Sequence, residues 1–158
     1  MKPRFELRDL FWRVLVAAMG CSGQMEDGKS IHDISTAQEL DAALRSSHAV
    51  IHIDVDWATQ AVRSRPVIRK FAQSALAHEG LQNVNFYRLD FTEQAGPTWD
   101  AFTAWQEREH SDPSLRFGGY GAVILIADAQ QRDAIHDAYA IGADGLLQRT
   151  LAAFRESP

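Results

Sequence analysis

The chain has 158 residues, of which 46% are hydrophobic and 23% charged, and these values fit one globular domain. Its formal net charge of −5 argues against a general nucleic-acid-binding protein, which needs a basic surface. The single cysteine, Cys21, excludes an internal disulfide framework and a zinc site built from several cysteines.

The first 30 residues are predicted to be a leader or linker that precedes the folded domain. Three cations within the first eight residues precede an apolar run, 10–20, and then Cys21. This layout resembles a bacterial lipoprotein signal, although Arg13 interrupts the run. One interpretation is therefore a cell-envelope protein that contacts the membrane through a lipid on Cys21. The others are an amphipathic helix on a cytoplasmic protein and a translation start at Met25. The run is too short to span a bilayer.

Strands and helices alternate along residues 31–158, which we interpret as one domain. Thr36, with Glu39 three residues later, predicts a capping box at the start of the first helix. The predicted elements, in chain order, are a strand at 31–34, a helix from Ser35 or Thr36, a strand at 49–55, a helix ending near Glu79, a strand at 84–91, a helix at 98–110, a strand at 122–127, a turn at 128–131, a strand at 133–141 and a helix at 146–154.

This order predicts an α/β fold with a mixed central sheet and helices on both faces. Residues 122–127 have the sequence AVILIA, and such an apolar run is typical of a strand buried on both faces. Trp99 and Trp105 are expected to pack the helix at 98–110 onto the sheet. The terminal pair of strands is predicted to be a hairpin, which makes the sheet mixed.

Three landmarks give the chain a family resemblance. Trp57 ends the second strand and is followed by four residues, Ala58–Ala61, here called the slot, with Pro66 five residues after the slot. Gly121-Ala122-Val123 leads into the apolar strand, and Ile141-Gly142-Ala143 precedes the last helix. In these landmarks the chain resembles the thioredoxin-like family, in which the slot holds Cys-x-x-Cys and the Val123 position holds a cis-proline.

The resemblance covers residues 31–154 and implies a thioredoxin-like fold. It also implies a longer helical insert before the penultimate strand, since the connection from Asp90 to Val123 exceeds that of the family's minimal form. Where the family has a buried acid, this chain has His52. We expect a trans peptide bond at Val123, because a cis bond without proline costs about 2.5–4 kcal/mol.

The departures from the family decide the predicted function. Thiol–disulfide exchange needs an attacking thiolate and a resolving thiol, and neither Ala58 nor Ala61 carries sulfur. We therefore interpret the chain as a redox-inactive thioredoxin-like module that binds a protein or peptide, with no nucleic-acid partner, no cofactor, no metal and no catalytic residue. Two alternatives stay open: a glutathione-dependent thiol enzyme that uses Thr59, and a lipid-anchored envelope protein.

The polar slot residues, Thr59 and Gln60, lie at the predicted start of a helix. The hydroxyl of Thr59 either caps that helix or joins its free N–H groups in holding an anion or a glutathione thiolate. His52 is interpreted as a hydrogen-bonded core histidine, with a pH switch as the alternative.

A basic cluster follows the slot and includes Arg63, Arg65 and Arg69. It is either a docking patch for an acidic partner or an ordinary solvated helix face. Tyr120, on the loop before Val123, is predicted to line a peptide-binding groove together with Trp57, and Trp57 is expected to be partly exposed.

Overall fold

The computed structural model describes residues 30–110, 116 and 119–155. Cys21 and Met25, and with them the predictions about the leader, lie outside the described residues.

A single mixed sheet forms the centre of the described domain, as the element order predicts. Its order is β1-β3-β2-β4-β5, with β1, β3 and β2 parallel and β4 and β5 antiparallel to their neighbours. The strands are β1 Ile31–Ile34, β2 His48–Asp54, β3 Asn85–Asp90, β4 Val123–Ala127 and β5 Gln130–Ile135. All five residues of β4 are buried, which confirms the interpretation of the apolar run.

Two helices cover each face of the sheet, which confirms the predicted layers. One face holds α1 and α3, and the other holds α2 and α4. The helices are α1 Ala37–Leu44, α2 Thr59–Leu76, α3 Pro97–Glu109 and α4 Ala138–Arg155, with a short 3-10 turn at Glu79–Leu81. A kink interrupts α4 at Gly142, whose φ of 69° and ψ of 177° are not helical. Trp105 is buried on α3, and Trp99 packs edge-on against Phe91 with ring centroids 4.7 Å apart, so the long α3 closes onto the sheet as expected.

The capping box predicted for α1 is present. The hydroxyl of Thr36 accepts a hydrogen bond from the Glu39 amide at 3.2 Å, and the Glu39 carboxylate accepts from the Thr36 amide at 3.0 Å. Together these bonds satisfy two backbone donors that the first turn leaves without partners.

Several predicted boundaries were wrong, including the start of the last helix, which begins at Ala138 rather than at Leu146. The second helix ends at Leu76 rather than near Glu79, and Gly80 lies in the 3-10 turn that follows. The last strand ends at Ile135 rather than at 141, because α4 already begins at Ala138 and Asp137 accepts a hydrogen bond from the Ala140 amide at 2.9 Å. The turn into β5 is also shorter than predicted.

Candidate functional site

Three chain segments meet at one edge of the sheet. Residue pairing aligns His52 with Val123, and Val123 with Ile135. Because β4 runs opposite to β2 and β5, the end of β2, the start of β4 and the end of β5 therefore lie side by side. The start of α2, the loop before β4 and the start of α4 are consequently neighbours.

The slot lies at the start of α2, beside the loop before β4. Ala58 is the N-cap residue, in an extended conformation with φ −93° and ψ 119°, and Thr59 is the first helical residue. Ala61 is buried, and a Cβ atom added to Gly121 would lie 3.0 Å from the Ala61 Cα and N atoms. The slot and the loop are thus in direct contact.

The prediction that Thr59 caps α2 was wrong. The N-cap position belongs to Ala58, whose methyl group accepts no hydrogen bond, and α2 has no side-chain cap. Thr59 and Gln60 are both exposed. The slot therefore presents a helix start without a capping side chain.

Trp57 is held in place while most of its ring faces solvent. Its side chain is 57% exposed, as the expectation of partial exposure required. Its indole N–H donates to the Thr92 carbonyl at 3.3 Å, and its ring packs edge-on against Tyr120 with centroids 4.7 Å apart. The Asp56 amide donates to the Thr92 hydroxyl at 3.0 Å and fixes the same loop.

The loop before β4 is bonded to β2 up to Gly121. The described residues contain no cis peptide bond, so the bond at Val123 is trans, as expected. The Ile53 amide donates to the Ala122 carbonyl at 2.9 Å, and the Gly121 amide donates to the Ile53 carbonyl at 2.8 Å. These two bonds tie the loop to the sheet, and the Gly121 amide has no further proton to donate to a bound peptide.

No protein-family model and no curated protein matches the chain, but solved structures do. A mutant thioredoxin from Halobacterium salinarum NRC-1 aligns with a TM-score of 0.58 and 14% identity over 83% of this chain and 96% of that one. The oxidised thioredoxin from Plasmodium falciparum aligns at 0.53 and 12% over 76% and 97%. The thioredoxin from Trypanosoma brucei brucei aligns at 0.53 and 12% over 85% and 99%. The chain has the thioredoxin fold.

His52 is a buried histidine between the sheet and α2. Its Nε2 lies 2.7 Å from the Ser64 hydroxyl, which donates to the Ala61 carbonyl at 2.7 Å. Because the hydroxyl proton is used there, we infer that His52 Nε2 donates to Ser64. Burial, assisted by the positive charges of Arg65 and Arg88, lowers the pKa of His52 to about 4. The neutral, hydrogen-bonded core interpretation is therefore the one that the geometry favours.

A buried carboxylate, Asp54, holds two arginines at the end of β2. The Arg65 Nε lies 2.8 and 3.0 Å from its two oxygens, and an Arg88 nitrogen lies 3.4 Å from one of them. Arg65 also pairs with Asp56, and Arg88 pairs with Asp33 at 2.8 Å. Burial raises the pKa of Asp54, while the bond from Arg65 and the charge of Arg88 oppose that rise. Sequence reasoning missed this network, whose one signal is an aspartate eleven residues before an arginine.

The predicted basic cluster divides into two groups. Arg65 points into the network and is not a free docking cation. Arg63, Arg69 and Lys70 are exposed on α2. The guanidinium carbon of Arg63 lies 5.7 Å from the centre of the Tyr139 ring at the start of α4.

Large exposed apolar side chains gather at this end of the molecule. Within the described residues they are Trp57, Val62, Tyr139 and Ile141, and all four lie in or beside the first turns of α2 and α4. We call these four residues, together with Tyr120, the end surface. Sequence reasoning found Trp57 and Tyr120 but missed the others, since Tyr139 and Ile141 were assigned to a strand.

Residues 30–110, 116 and 119–155 contain neither a candidate metal site nor a candidate membrane-spanning helix. No group of three histidine, cysteine or acidic side chains is placed to bind a metal ion there. His48 and His52 have the spacing of two ligands on a helix, but they lie on a strand, where four residues span about 13 Å. None of the described helices is long and apolar enough to cross a bilayer.

Proposed function

We propose that the chain is a redox-inactive thioredoxin-fold module that binds a segment of another protein through the end surface. The absence of sulfur from the slot supports the first half of this proposal. A dithiol mechanism needs one thiol to attack and another to resolve the mixed disulfide, and Ala58 and Ala61 supply neither. The one cysteine, Cys21, lies outside the slot.

The exposed ring of Trp57 is the observation that carries the second half. An indole in water exposes a large apolar area, yet this one is fixed by Thr92 and Tyr120 rather than folded into the core. Because its N–H group is already bonded and its orientation is set, little side-chain entropy remains to be lost when a partner covers it. Rigid tryptophan and tyrosine side chains are favoured as binding anchors for this reason.

The position of the other exposed apolar side chains supports the same function. Val62, Tyr139 and Ile141 come from two helices, and the sheet register brings the starts of those helices to one edge. Scattered surface hydrophobics are common and need no explanation, whereas a cluster at one end marks an interaction surface.

The glutathione-dependent alternative is supported by one feature and opposed by another. Thr59 is exposed at a helix start without a capping side chain, which suits a thiolate. The neighbouring Gly121 amide has given its one proton to the Ile53 carbonyl, and the Ala122 carbonyl already accepts from the Ile53 amide, which leaves these groups less able to hold the peptide part of glutathione. Calorimetry with millimolar glutathione discriminates between the two: binding that is lost in Thr59→Ala would favour the alternative.

The lipid-anchored alternative depends on Cys21 and is compatible with either activity. The intact mass of protein purified from membranes tests it. An acylated chain that begins at Cys21 would establish the anchor, and an unmodified chain would exclude it.

Insulin reduction with dithiothreitol tests the redox half of the proposal. We expect the wild-type protein and Cys21→Ser to give no rate above that of dithiothreitol alone, with a dithiol thioredoxin as the positive control. Turnover by Cys21→Ser, which has no sulfur nucleophile except its methionines, would overturn the proposal.

A further inference from the structure

We infer that the segment bound at the end surface carries acidic residues next to an apolar anchor. This inference rests on the proposed function and adds the chemistry of the partner. Three cations on the outer face of α2 carry it: Arg63, Arg69 and Lys70, here called the α2 cations. The apolar anchor covers the exposed apolar side chains of the end surface, from Trp57 to Val62, and the acidic side chains lie along α2.

The α2 cations differ from five of the eight other arginines that the structure describes. Arg45, Arg65, Arg88, Arg132 and Arg149 each form an ion pair with an aspartate. The α2 cations are exposed and form no ion pair within residues 30–110, 116 and 119–155. An acidic chain thus leaves three neighbouring positive charges without a described carboxylate, on the helix that starts at the end surface.

Two acids at the starts of α2 and α4 are already engaged. Asp56 pairs with Arg65, and Asp137 accepts the Ala140 amide at the start of α4. The remaining contact of Arg63 is with the ring of Tyr139, which lies beneath its guanidinium at 5.7 Å and leaves the donors of that group open. A carboxylate from a partner would find a cation here with its hydrogen-bonding capacity unused.

The spacing of the residues fits a short extended segment. Val62 and Arg69 are seven residues apart on α2, as are Arg63 and Lys70, so each pair lies on one side of the helix about 10.5 Å apart. An extended peptide covers that length in about three residues. An apolar side chain at the start of α2 and a carboxylate three or four positions away would reach both groups.

The overall charge favours a short acidic segment over a large polyanion. Three cations act over a screening length of about 8 Å at physiological salt, so a nearby carboxylate responds to them more than to the rest of the molecule. A membrane surface or a nucleic acid covers a wider area and meets the net charge of −5. Anionic membranes are usually bound by about four to eight clustered cations.

Selection from a random displayed-peptide library on the full chain tests the inference. Peptides that bind the wild-type protein are retained if they fail to bind Trp57→Ser, which removes the exposed indole of the end surface. We expect the retained peptides to be enriched in Asp and Glu within about four positions of a Leu, Phe, Trp or Ile residue. The best peptide should bind Lys70→Gln and Arg63→Gln about two- to five-fold more weakly than wild type, which is the range of exposed ion pairs.

Arg108→Gln is the matched control, because Arg108 is an exposed cation on α3 on the opposite face of the sheet. It makes the same change in net charge and should leave the affinity unchanged. Binding should also weaken with added salt in the wild type, and less so in Lys70→Gln.

The outcomes separate this inference from the proposed function. Neutral or basic peptides that depend on Trp57 would overturn the inference and leave the proposed function standing. A selection with no Trp57-dependent peptide would contradict both. Self-association of the wild type that is lost in Trp57→Ser would assign the end surface to a second copy of this chain. Equal weakening of peptide binding by Lys70→Gln and Arg108→Gln would show a non-specific effect of charge. Either result overturns the inference.

Discussion

The side chain of Asp54 is fully buried, and its two arginine partners are only partly exposed. The ion pairs of Asp54 with Arg65 and Arg88 join the end of β2 to α2 and to β3, so they hold the segment that leads into Trp57. Buried carboxylates in such pairs are costly to create but more costly to break, because the partner is then left with its charge uncompensated.

We expect Asp54→Asn to lower the free energy of unfolding by about 2 kcal/mol, since Arg65 keeps Asp56 and some access to water. Urea unfolding measures this change. Asp33→Asn is the control, because Asp33 is an exposed partner of Arg88, and its loss should cost less than about 1 kcal/mol. Equal effects of the two substitutions would contradict the structural role of Asp54.

His52 should make stability depend on pH. Its pKa is about 4 in the folded chain against an ordinary 6.5, so the unfolded chain binds more protons between these values. Stability from this group is complete above about pH 6.5 and falls as the pH drops toward 4, by about 3 kcal/mol at most. The raised pKa of Asp54 acts with the opposite sign and is common to both proteins compared below.

We expect His52→Gln, which keeps a donor for Ser64 but does not titrate, to lose less stability than wild type between about pH 7 and about pH 4.5. Urea unfolding at the two pH values gives the comparison. The same fall in both proteins would show that His52 is not the group responsible.

At the residue scale, the sequence predicted only those side-chain contacts that form between near neighbours in the chain. The capping box of Thr36 and Glu39 was predictable because both partners lie within one turn. The roles of Arg65 and Ser64 were not, since each depends on a strand residue eleven or twelve positions earlier and on which side of α2 faces the sheet. An arginine in a basic run looks exposed until its buried carboxylate is known.

The loop before β4 approaches α2 closely at Gly121. This glycine has φ +85°, and an added Cβ would lie 3.0 Å from backbone atoms of Ala61 and Gln60, which cannot move as a side chain can. We expect Gly121→Ala to cost about 1–3 kcal/mol from backbone strain and about 1–3 kcal/mol more from overpacking.

Gly96→Ala separates the two causes. Gly96 also has a positive φ, at +96°, but an added Cβ would meet nothing within 4 Å. It should carry the strain alone and unfold at a higher urea concentration than Gly121→Ala. If the two variants are equally stable, the close approach of the loop to the slot does not contribute to the free energy of unfolding.

The slot geometry can be tested by restoring the sulfur. In a helix, Cα atoms three positions apart are about 5 Å apart, within the range of natural disulfides. We expect Ala58→Cys/Ala61→Cys, made in Cys21→Ser, to form an intramolecular disulfide on mild oxidation, seen as the corresponding mass loss in the monomer. Ala58→Cys alone, in the same background, should show no such loss. Disulfide-linked dimers in place of the internal bond would contradict the assigned position of the slot.

Element boundaries failed where local pattern and tertiary structure disagreed. Ile135, Tyr139 and Ile141 give the alternating apolar pattern of a strand, but hydrogen bonding to the sheet ends at Ile135. The side chain of Asp137 accepts a hydrogen bond in the first turn of α4, and Tyr139 and Ile141 are exposed on that helix. The predicted strand at 133–141 therefore concealed part of the end surface.

For the whole molecule, the layers were predictable because strands and helices alternate with strong apolar patterns. The end surface was not, since Trp57 and Tyr139 are distant in the chain, and only the sheet order brings the starts of α2 and α4 to the same edge. The thioredoxin fold places the start of α2, the loop before β4 and the start of α4 at one edge. In this chain that edge lacks the two thiols and presents an exposed, rigidly held tryptophan.

The most direct test of a binding role for this edge is the ¹H–¹⁵N spectrum of the full chain, titrated with the best peptide selected on it. We expect shifts of the Trp57 indole N–H and of the backbone amides of Tyr120 and Ile141, while amides of α1 on the opposite face stay unchanged. Shifts confined to α1 and α3, with the Trp57 signal unmoved, would contradict a binding role for this edge.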